Sequence, residues 1–350
     1  MAKNIVGLDI GSAGLRAVEL ADATKARPTV VRYHEIELPA GAISRGEVVE
    51  PHTVAGAIKR LWSTGGFTSK NVVLGVGNHR VLARDFSVPR MSPRRIRESL
   101  PFHVQDMIPV PVSEALLDFY PNSESIGEGG QPHVNGLLIA AVKEAVMTNV
   151  RAVQLAGLNP IDVDLIPFAL SRVLLRGDNA PGTTAVIDIG AHTTTVVIST
   201  DCVPQFVRII PTGSDDLTST LGTRLEIDPV QAEEAKRAIG LATAGYQPEH
   251  EQAVTVIYEV TNELLTSIRN TLLYFTNTRP AQPVRQLILT GGGASLEGFA
   301  AALGEIVRVP VIAAQPFSTL GLARRLKDQE LALGGGRGAV AIGLALGKAA

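Results

Sequence analysis

The same strand–turn–strand pattern occurs twice in the chain, once near its start and once where its second half begins. The first copy is IVGLDIGSAGLRAVEL, residues 5–20, and the second is AVIDIGAHTTTVVIS, residues 185–199. In each copy an apolar run ends in an aspartate, Asp9 or Asp188, and Ile-Gly then turns the chain into a second apolar, β-branched run. The repeat predicts two similar hairpins, each with one carboxylate beside its turn.

Each turn has the chemistry of a phosphate site. Gly11 and Gly190 lack a Cβ, so backbone N–H groups beside them can approach an anion closely. Hydroxyl donors follow these glycines, at Ser12, Thr193 and Thr194. A single turn of this kind is more often a plain hairpin. Two such turns facing one another would hold a polyphosphate from both sides, and the aspartates beside them could hold a hydrated Mg²⁺.

Composition bounds the class of protein. The 350 residues, 45% hydrophobic and 19% charged, predict roughly two globular domains with buried cores. A formal net charge of −2 gives no overall reason to expect nucleic acid or anionic lipid as the main partner. Cys202, the single cysteine, excludes an internal disulfide and is expected to be buried on a strand. Neither a signal peptide nor a membrane-spanning run is apparent, which predicts a cytoplasmic protein.

The order of elements around the two hairpins also repeats. A third strand is predicted at 29–38 after the first hairpin and at 204–210 after the second, and a helix follows each, at 51–62 and from Ser214. This repeated meander and helix predict an α/β fold of two similar lobes with a nucleotide cleft between them. A helix of small residues at 338–347 is suited to close packing against the strands.

A stretch with its own signals, 89–162, lies between the lobes. Ser92-Pro93 predicts the start of a basic helix that three prolines then interrupt. Further along we expect a strand, a polar Gly-rich loop, a second strand and an amphipathic helix, at 116–120, 122–132, 134–142 and 143–155. The stretch therefore predicts a compact inserted α/β module.

Two segments of the second half have patterns that suit a nucleoside. A helix at 229–239 carries Glu233 and Lys236 three residues apart, either as a surface ion pair or as a ribose contact. The segment QLILTGGGASLEGF, 286–299, predicts a strand followed by a bare turn. Its spacing does not fit a Rossmann fingerprint, but a flat base could pack on its three glycines, Gly291, Gly292 and Gly293.

In this order along the chain, these segments resemble the actin-like ATPase superfamily of actin, the heat-shock chaperones, sugar kinases and FtsA. The resemblance covers nearly the whole chain and implies a two-lobed, ribonuclease H-like fold that binds ATP, with Mg²⁺ held through water by Asp9 and Asp188. Glu233 and Lys236 match the E-x-x-K helix that contacts ribose and base in the chaperones. The residues that the resemblance assigns to the nucleotide are Gly11, Ser12, Ala13, Gly190, His192, Thr193, Thr194, Gly213, Glu233, Lys236, Gly291, Gly292 and Gly293.

The sequence of the inserted stretch, 89–162, indicates which family of the superfamily the chain resembles. The run RIRESLPFHVQDMIPVPVSEALLDFY, 95–120, is similar to the helix, Ile-Pro and acidic strand of the PilM family, here with Ile108-Pro109 and Asp118. That resemblance implies a cytoplasmic, ATP-binding protein of type IV pilus assembly. Such a protein holds the N-terminal tail of the membrane protein PilN beside the inserted module. Through PilN it is peripheral to the inner membrane pilus complex.

The resemblance also implies four subdomains. The first lobe comprises 1–88, 163–180 and 321–350 (subdomain 1A), with 89–162 inserted as subdomain 1C. The second lobe comprises 181–224 with 284–320 (2A) and the helical part 225–283 (2B).

Two departures from the superfamily concern turnover. Ser214 stands where the family often has a second glycine, and Ile166 stands where the chaperones carry a carboxylate that helps activate water. Binding is therefore better supported than hydrolysis, which we expect to be slow unless Asp162 or Asp164 substitutes through water. Asp9, Asp188 and Asp164 are the catalytic candidates.

Two alternatives on the same fold stay open. One is a small-molecule kinase, which would need a general base near an acceptor hydroxyl, and no aspartate in a sugar-pocket motif stands out. The other is an FtsA-like filament, in which the inserted module forms contacts between copies of the chain. A filament that anchors itself would end in a basic amphipathic helix, whereas this chain ends in GLALGKAA.

Overall fold

The computed structural model describes residues 4–39, 41–127, 129–176, 182–241, 248–324, 326 and 336–347. The strands are β1 (Ile5–Gly11), β2 (Gly14–Ala21), β3 (Thr29–Ile36), β4 (Ile43–Ser44), β5 (Glu47–Val48), β6 (Asn71–Val76), β7 (Val81–Pro89), β8 (Ala115–Ile126), β9 (Pro132–Val142), β10 (Asn159–Leu165), β11 (Thr183–Ile189), β12 (Thr194–Thr200), β13 (Val203–Ile210), β14 (Gln286–Thr290), β15 (Val311–Ala313) and β16 (Gly321–Leu322). The α-helices are α1 (Pro51–Gly65), α2 (Pro93–His103), α3 (Lys143–Leu155), α4 (Ile166–Leu174), α5 (Ser214–Leu225), α6 (Pro229–Ile239), α7 (Glu251–Thr278), α8 (Phe299–Val307) and α9 (Ala339–Ala345).

Two mixed sheets form the two lobes, and each is built around one of the repeated hairpins. The strand order is β10-β6-β1-β2-β3-β16 in the first lobe and β13-β12-β11-β14-β15 in the second. β1 pairs antiparallel with β2 and parallel with β6, and β11 pairs in the same way with β12 and β14. The shared pairing pattern confirms the predicted α/β fold of two similar lobes.

The register of each hairpin determines which side chains share a face of the sheet. In the first lobe Asp9 lies opposite Arg16, which in turn lies opposite Glu35 on β3. In the second lobe Asp188 lies opposite Thr195, which lies opposite an isoleucine on β13. Residues opposite one another in neighbouring strands are in contact on one face. Each aspartate therefore begins a row across three strands, which continues with charged side chains in the first lobe and with uncharged ones in the second.

Helix α9 packs against β1 and α4 with no side chains between the backbones. A Cβ on Gly7 would lie 2.0 Å from the Ala341 carbonyl oxygen, and a Cβ on Gly343 would lie 2.0 Å from the Ala169 carbonyl oxygen. Only glycine allows backbones to approach so closely. The close packing predicted for the small-residue helix at the end of the chain is therefore confirmed.

A third sheet, with the order β7-β9-β8, lies beside the lobes and is covered by α2. The Ser92 hydroxyl accepts a hydrogen bond from the Arg95 N–H, which confirms the predicted helix start. The sheet takes in β7, which begins at Val81, before the predicted start of the module at 89, whereas α3 contributes Ala152 and Val153 to the core of the first lobe. The division of the chain into subdomains stays a prediction. Within the described ranges, none of the helices combines the length and the apolar character needed to span a bilayer.

Three local expectations are wrong. Pro101 does not interrupt α2, because it lies in the last turn of the helix, where a missing N–H removes a single hydrogen bond. The expected polar loop at 122–132 is mostly strand, since a bulge after Pro121 lets β8 continue to Ile126. Cys202 is exposed instead of buried, because it occupies a two-residue hairpin turn between β12 and β13 with a φ of 66°.

Candidate functional site

A cleft of about 960 Å³ lies between the two lobes, and the turns of both hairpins line it. The predicted site residues that line it are Asp9, Gly11, Ser12, Ala13, Asp188, Gly190, His192, Thr193, Gly213, Glu233, Lys236, Gly291, Gly292 and Gly293. The fold thus brings segments from the start, middle and later part of the chain to one place.

The second hairpin and the glycine segment after β14 are in direct backbone contact. A Cβ on Gly291 would lie 2.4 Å from the Ile189 carbonyl oxygen, and a Cβ on Gly213 would lie 2.4 Å from the Ala191 carbonyl oxygen. Gly291 also has a φ of 91°, which L side chains rarely adopt. A side chain at Gly291 would push the segment after β14 away from the second hairpin, and one at Gly213 would do the same to the segment before α5. These glycines are therefore required to form the floor of the cleft in the second lobe.

The N-terminus of α5 is anchored to the same hairpin. The Ser214 N–H donates to the Gly190 carbonyl oxygen at 2.9 Å, and the Asp215 N–H donates to the Ala191 carbonyl oxygen at 2.8 Å. The Gly213 N–H donates to the Asp216 carboxylate at 2.7 Å. The first N–H groups of the helix are used to hold the turn in place. The Ser214 and Asp215 N–H groups are therefore engaged within the second lobe.

The carboxylates of Asp9 and Asp188 influence one another across the cleft. Burial raises the pKa of Asp9, although the Arg16 guanidinium, with Nη1 at 3.5 Å from Oδ2, opposes the shift. Burial, together with the negative charge of Asp9, raises the pKa of Asp188 to about 7. Among the described residues, no cationic side chain forms an ion pair with Asp188. A divalent cation between the two carboxylates would relieve their repulsion.

The donor set suits a hydrated Mg²⁺ better than a metal caged by protein. Within the described part of the chain, histidine, cysteine, aspartate and glutamate side chains form no group of three that could hold a metal ion. Mg²⁺ keeps several waters and needs only one or two carboxylates beside substrate phosphates. Asp9 and Asp188 therefore fit the metal that the sequence predicted, held through water.

A charged network beside Asp9 was not predicted from the sequence. Arg16 lies between Asp9 and Glu35, with its Nε 3.2 Å from the Glu35 Oε2. Tyr33 donates its hydroxyl to the same carboxylate at 3.1 Å, and the Arg337 Nη1 lies 3.7 Å from the other Glu35 oxygen. Arg16, Glu35 and Arg337 all line the cleft. Hairpin register could have identified Arg16, because the pairing of Gly11 with Gly14 places it opposite Asp9.

Glu233 and Lys236 form the ion pair that the sequence allowed, and both also line the cleft. The Lys236 side chain is buried and donates to the Thr218 hydroxyl at 2.8 Å. Burial alone would raise the pKa of Glu233, but hydrogen bonds from Lys236, Thr218 and Arg237 outweigh it and lower the pKa. These contacts hold the pair in place on the second-lobe side of the cleft. Its contact with a ribose stays a prediction.

Thr194 does not line the cleft, contrary to the predicted role in nucleotide binding. Its buried hydroxyl donates to the Thr212 carbonyl oxygen at 2.8 Å. The next residue, Thr195, lines the cleft together with Thr193. Successive side chains of an extended chain point to opposite faces, so the alternation from 193 to 195, where β12 begins, places 193 and 195 in the cleft and excludes 194. That alternation is visible in the sequence and could have identified Thr195.

Asp164, a catalytic candidate from the sequence, lies outside the cleft lining. Its buried carboxylate accepts hydrogen bonds from the Arg172 guanidinium at 2.7 Å and from the Leu165 N–H at 2.8 Å. Asp162 also lies outside the lining and bonds the adjacent Val163 N–H. Ile166 does reach the cleft, where it packs against Gly75 and Gly77. We therefore assign Asp164 a structural role.

Asp164→Asn tests this assignment. We expect it to lower the free energy of unfolding by about 2–3 kcal/mol, because the Arg172 guanidinium would lose its buried partner. Nucleotide binding and any phosphate release by the folded variant should stay at wild-type levels. Urea unfolding and a phosphate-release assay measure the two quantities, with Asp162→Asn as the control. If phosphate release were lost while the free energy of unfolding stayed unchanged, Asp164 would be catalytic and not structural.

Comparison with known proteins identifies the family. The sequence model of the type IV pilus assembly protein PilM matches residues 7–349. The chain belongs to this family. A solved structure described as the PilM-PilN type IV pilus biogenesis complex is similar, with 28% identity, a TM-score of 0.83 and coverage of 99% of this chain and 98% of that chain.

More distant similarities agree with the fold. The cell division protein FtsA of Bacillus subtilis (strain 168) is 22% identical over 89% of this chain and 78% of its own length. The structure of MreB 5 of Spiroplasma citri bound to AMPPNP has 10% identity, a TM-score of 0.56 and coverage of 90% of this chain and 92% of that chain. At this identity the likeness shows the fold alone, which is that of the actin-like proteins.

Proposed function

We propose that this chain binds ATP with Mg²⁺ between its two lobes and holds the N-terminal tail of a PilN-type membrane protein. It would thereby link that protein to the type IV pilus machinery at the inner face of the cytoplasmic membrane. The observation that carries the first part is the convergence of both D-x-G turns and the glycine segment on one cleft. Membership of the PilM family supports the second part.

In this proposal each segment of the cleft has a distinct task. The turns at Gly11 and Gly190 would hold the phosphates through backbone N–H groups and neighbouring hydroxyls. The bare backbone at 291–293 would receive the adenine, and the Glu233–Lys236 pair the ribose. Asp9 and Asp188 would hold the hydrated Mg²⁺, which neutralises phosphate charge when bound.

The residues beside the proposed phosphate sites support slow hydrolysis of ATP. Ile166 presents an apolar side chain at the position where an activating carboxylate would be expected, and Asp164 is engaged with Arg172. General-base assistance is worth about 10² to 10⁴ in rate. We therefore infer that the chain is a nucleotide-dependent binding protein, and that any hydrolysis without a partner is slow.

The third sheet and α2 offer the surface for the peptide. β8 is an edge strand that pairs only with β9 among the described residues, so an extended peptide could add to its outer edge. The apolar run at 107–112 packs largely on the module's own core, where Ile108 is buried. Three exposed apolar side chains belong to these elements: Phe102 on α2 at 78%, and Leu116 and Ile126 on β8 at 38% and 80% exposure.

Fluorescence anisotropy with a labelled PilN-type N-terminal peptide tests the partner. We expect the full chain to bind the peptide and the double variant Phe102→Ser, Leu116→Ser to bind it about tenfold more weakly, because apolar anchors dominate such contacts. Leu273→Ser is the matched control, since Leu273 is 49% exposed on α7 of the second lobe. No binding by the wild type would refute the partner. Equal binding by the double variant and the control would show that the peptide does not bind at Phe102 and Leu116.

A further inference from the structure

A small hairpin of the first lobe reaches into the cleft beside the first phosphate turn. It consists of β4 and β5, and its two-residue turn is Arg45-Gly46, since Ser44 pairs with Glu47. The Gly46 N–H donates to the Ser12 hydroxyl at 3.2 Å. Arg45 and Gly46 both line the cleft together with Ser12. The turn is therefore part of the site where the phosphates are expected.

The backbone at Arg45 is unusual for an arginine. Its φ is 49° and that of Gly46 is 80°, so both central residues of the turn have positive φ. This geometry is that of a type I′ hairpin turn, whose first position favours Asn, Asp or Gly. An arginine in the left-handed region is strained relative to those residues, and such outliers concentrate at functional sites. The strained backbone at Arg45 therefore points to a function for its side chain.

Arg45 also differs from the other cations of the cleft in its electrostatic environment. Within the described part of the chain, the other arginines and the lysine that line the cleft each have a carboxylate within 4.0 Å: Arg16, Lys236, Arg237 and Arg337. Among the described residues, no carboxylate forms an ion pair with Arg45, and its side chain is exposed. An unpaired guanidinium at a phosphate site is available to bind an anion.

The base of the hairpin is fixed, so the position of its tip is defined. The Glu47 carboxylate accepts hydrogen bonds from Asn78 at 3.2 Å and from Arg80 at 3.0 Å. The Val48 N–H donates to the buried Asn149 side chain at 3.3 Å. These contacts attach the hairpin to the β6–β7 connection and to α3. Arg45 is thus carried on an anchored support and not on a free loop.

We propose that Arg45 binds the distal phosphate of the nucleotide, so that the cleft distinguishes a nucleoside triphosphate from a diphosphate. This inference rests on the proposed nucleotide binding. The residues proposed for adenine and ribose belong to the second lobe, so the phosphates extend toward the first hairpin. Arg45 lines the cleft beside that hairpin, next to Gly46, whose N–H donates to the Ser12 hydroxyl. A guanidinium there forms charge-assisted hydrogen bonds with a terminal phosphate, which carries the most negative charge.

Arg45→Asn is the decisive variant, because asparagine suits the turn and removes only the guanidinium. We expect its affinity for MgATP, measured by calorimetry, to fall about tenfold, with at most a twofold change for MgADP. Arg308→Asn is the matched control. Arg308 is also exposed and has a φ of 57°, but it lies outside the cleft lining. The control should bind both nucleotides as the wild type does.

The outcomes separate this inference from the function on which it rests. If the wild type binds neither nucleotide, the proposed function is wrong and the role of Arg45 with it. If the wild type binds both and Arg45→Asn keeps the same ratio of ATP to ADP affinity, Arg45 does not read the distal phosphate. A loss specific to ATP, absent from Arg308→Asn, supports the proposal. Thermal unfolding of both variants establishes that each is folded.

Discussion

Asp188→Asn is expected to weaken the binding of MgATP by about 100-fold, because it removes one of the two carboxylates that we propose hold the metal. Asparagine has the shape of aspartate, so the β11 strand and its turn should remain intact. Calorimetric titration with ATP in the presence of Mg²⁺, and again in EDTA, measures the effect. The metal-dependent part of the affinity should disappear while the metal-free part stays or increases.

The control is Asp201→Asn, which changes an exposed aspartate in another turn of the same lobe. It should bind MgATP like the wild type. Equal affinities for wild type and Asp188→Asn in saturating Mg²⁺ would show that the metal is held elsewhere, or that no metal takes part. Either result would remove the assignment of Asp188.

The pH dependence of the same binding follows from the environment of Asp188. The group that repels its negative charge is the Asp9 carboxylate, and the group that attracts it is the Arg16 guanidinium. With its pKa at about 7, Asp188 must lose a proton before it can hold the metal. The affinity for Mg²⁺ should therefore fall by up to about tenfold for each pH unit below 7 and level off above it. This dependence should vanish in Asp188→Asn.

The stability of the metal-free protein should move in the opposite direction. The pKa of Asp188 is raised from 3.8 to about 7 in the folded chain, so the unfolded chain ionises first as the pH rises. The associated stability is present below pH 4 and is lost between about pH 4 and pH 7. Asp188→Asn should consequently be more stable than the wild type at pH 8 in EDTA, by about 1–3 kcal/mol. Urea unfolding at pH 5 and pH 8 measures the difference.

Local chemistry made the two hairpins predictable. An apolar run, an aspartate, Ile-Gly and a β-branched run determine a strand, a turn and a second strand within some fifteen residues, and their repetition implied the second lobe. The same holds for Ser92 as a helix start. Pro101 and Cys202 were misplaced because their positions depend on how a helix or a turn ends, and composition alone does not determine that.

The charged network of the first lobe could not be predicted in the same way. Arg16 and Glu35 become neighbours only when β1, β2 and β3 pair in one register. Arg337 reaches Glu35 from a segment some three hundred positions further along the chain. Arg45 gave no sequence signal at all, since a left-handed arginine is recognised only from its backbone angles. The roles of these residues depend on tertiary structure, whereas the roles of the turn glycines depend on local backbone geometry and can be predicted from the sequence.

Gly343→Ala is expected to destabilise the fold by about 3 kcal/mol or more, although it adds a single methyl group to a helix. The new Cβ would lie 2.0 Å from the Ala169 carbonyl oxygen on α4, a backbone atom that cannot turn aside. α9 would have to move away from α4 and from β1, the strand that carries Asp9. Overpacking of this kind in a rigid core costs 1–3 kcal/mol and occasionally more.

The matched control is Gly56→Ala, which makes the same change in α1. Gly56 is exposed, and a Cβ there would meet nothing within 4 Å. Alanine is the better helix former, so this variant should gain about 0.5–1 kcal/mol. Urea unfolding should show a lower free energy of unfolding for Gly343→Ala and a higher one for Gly56→Ala, although both variants replace glycine with alanine. If Gly343→Ala were as stable as the wild type, α9 could not be packed backbone to backbone against α4, and the position of β1 and its aspartate would have to be determined by other contacts.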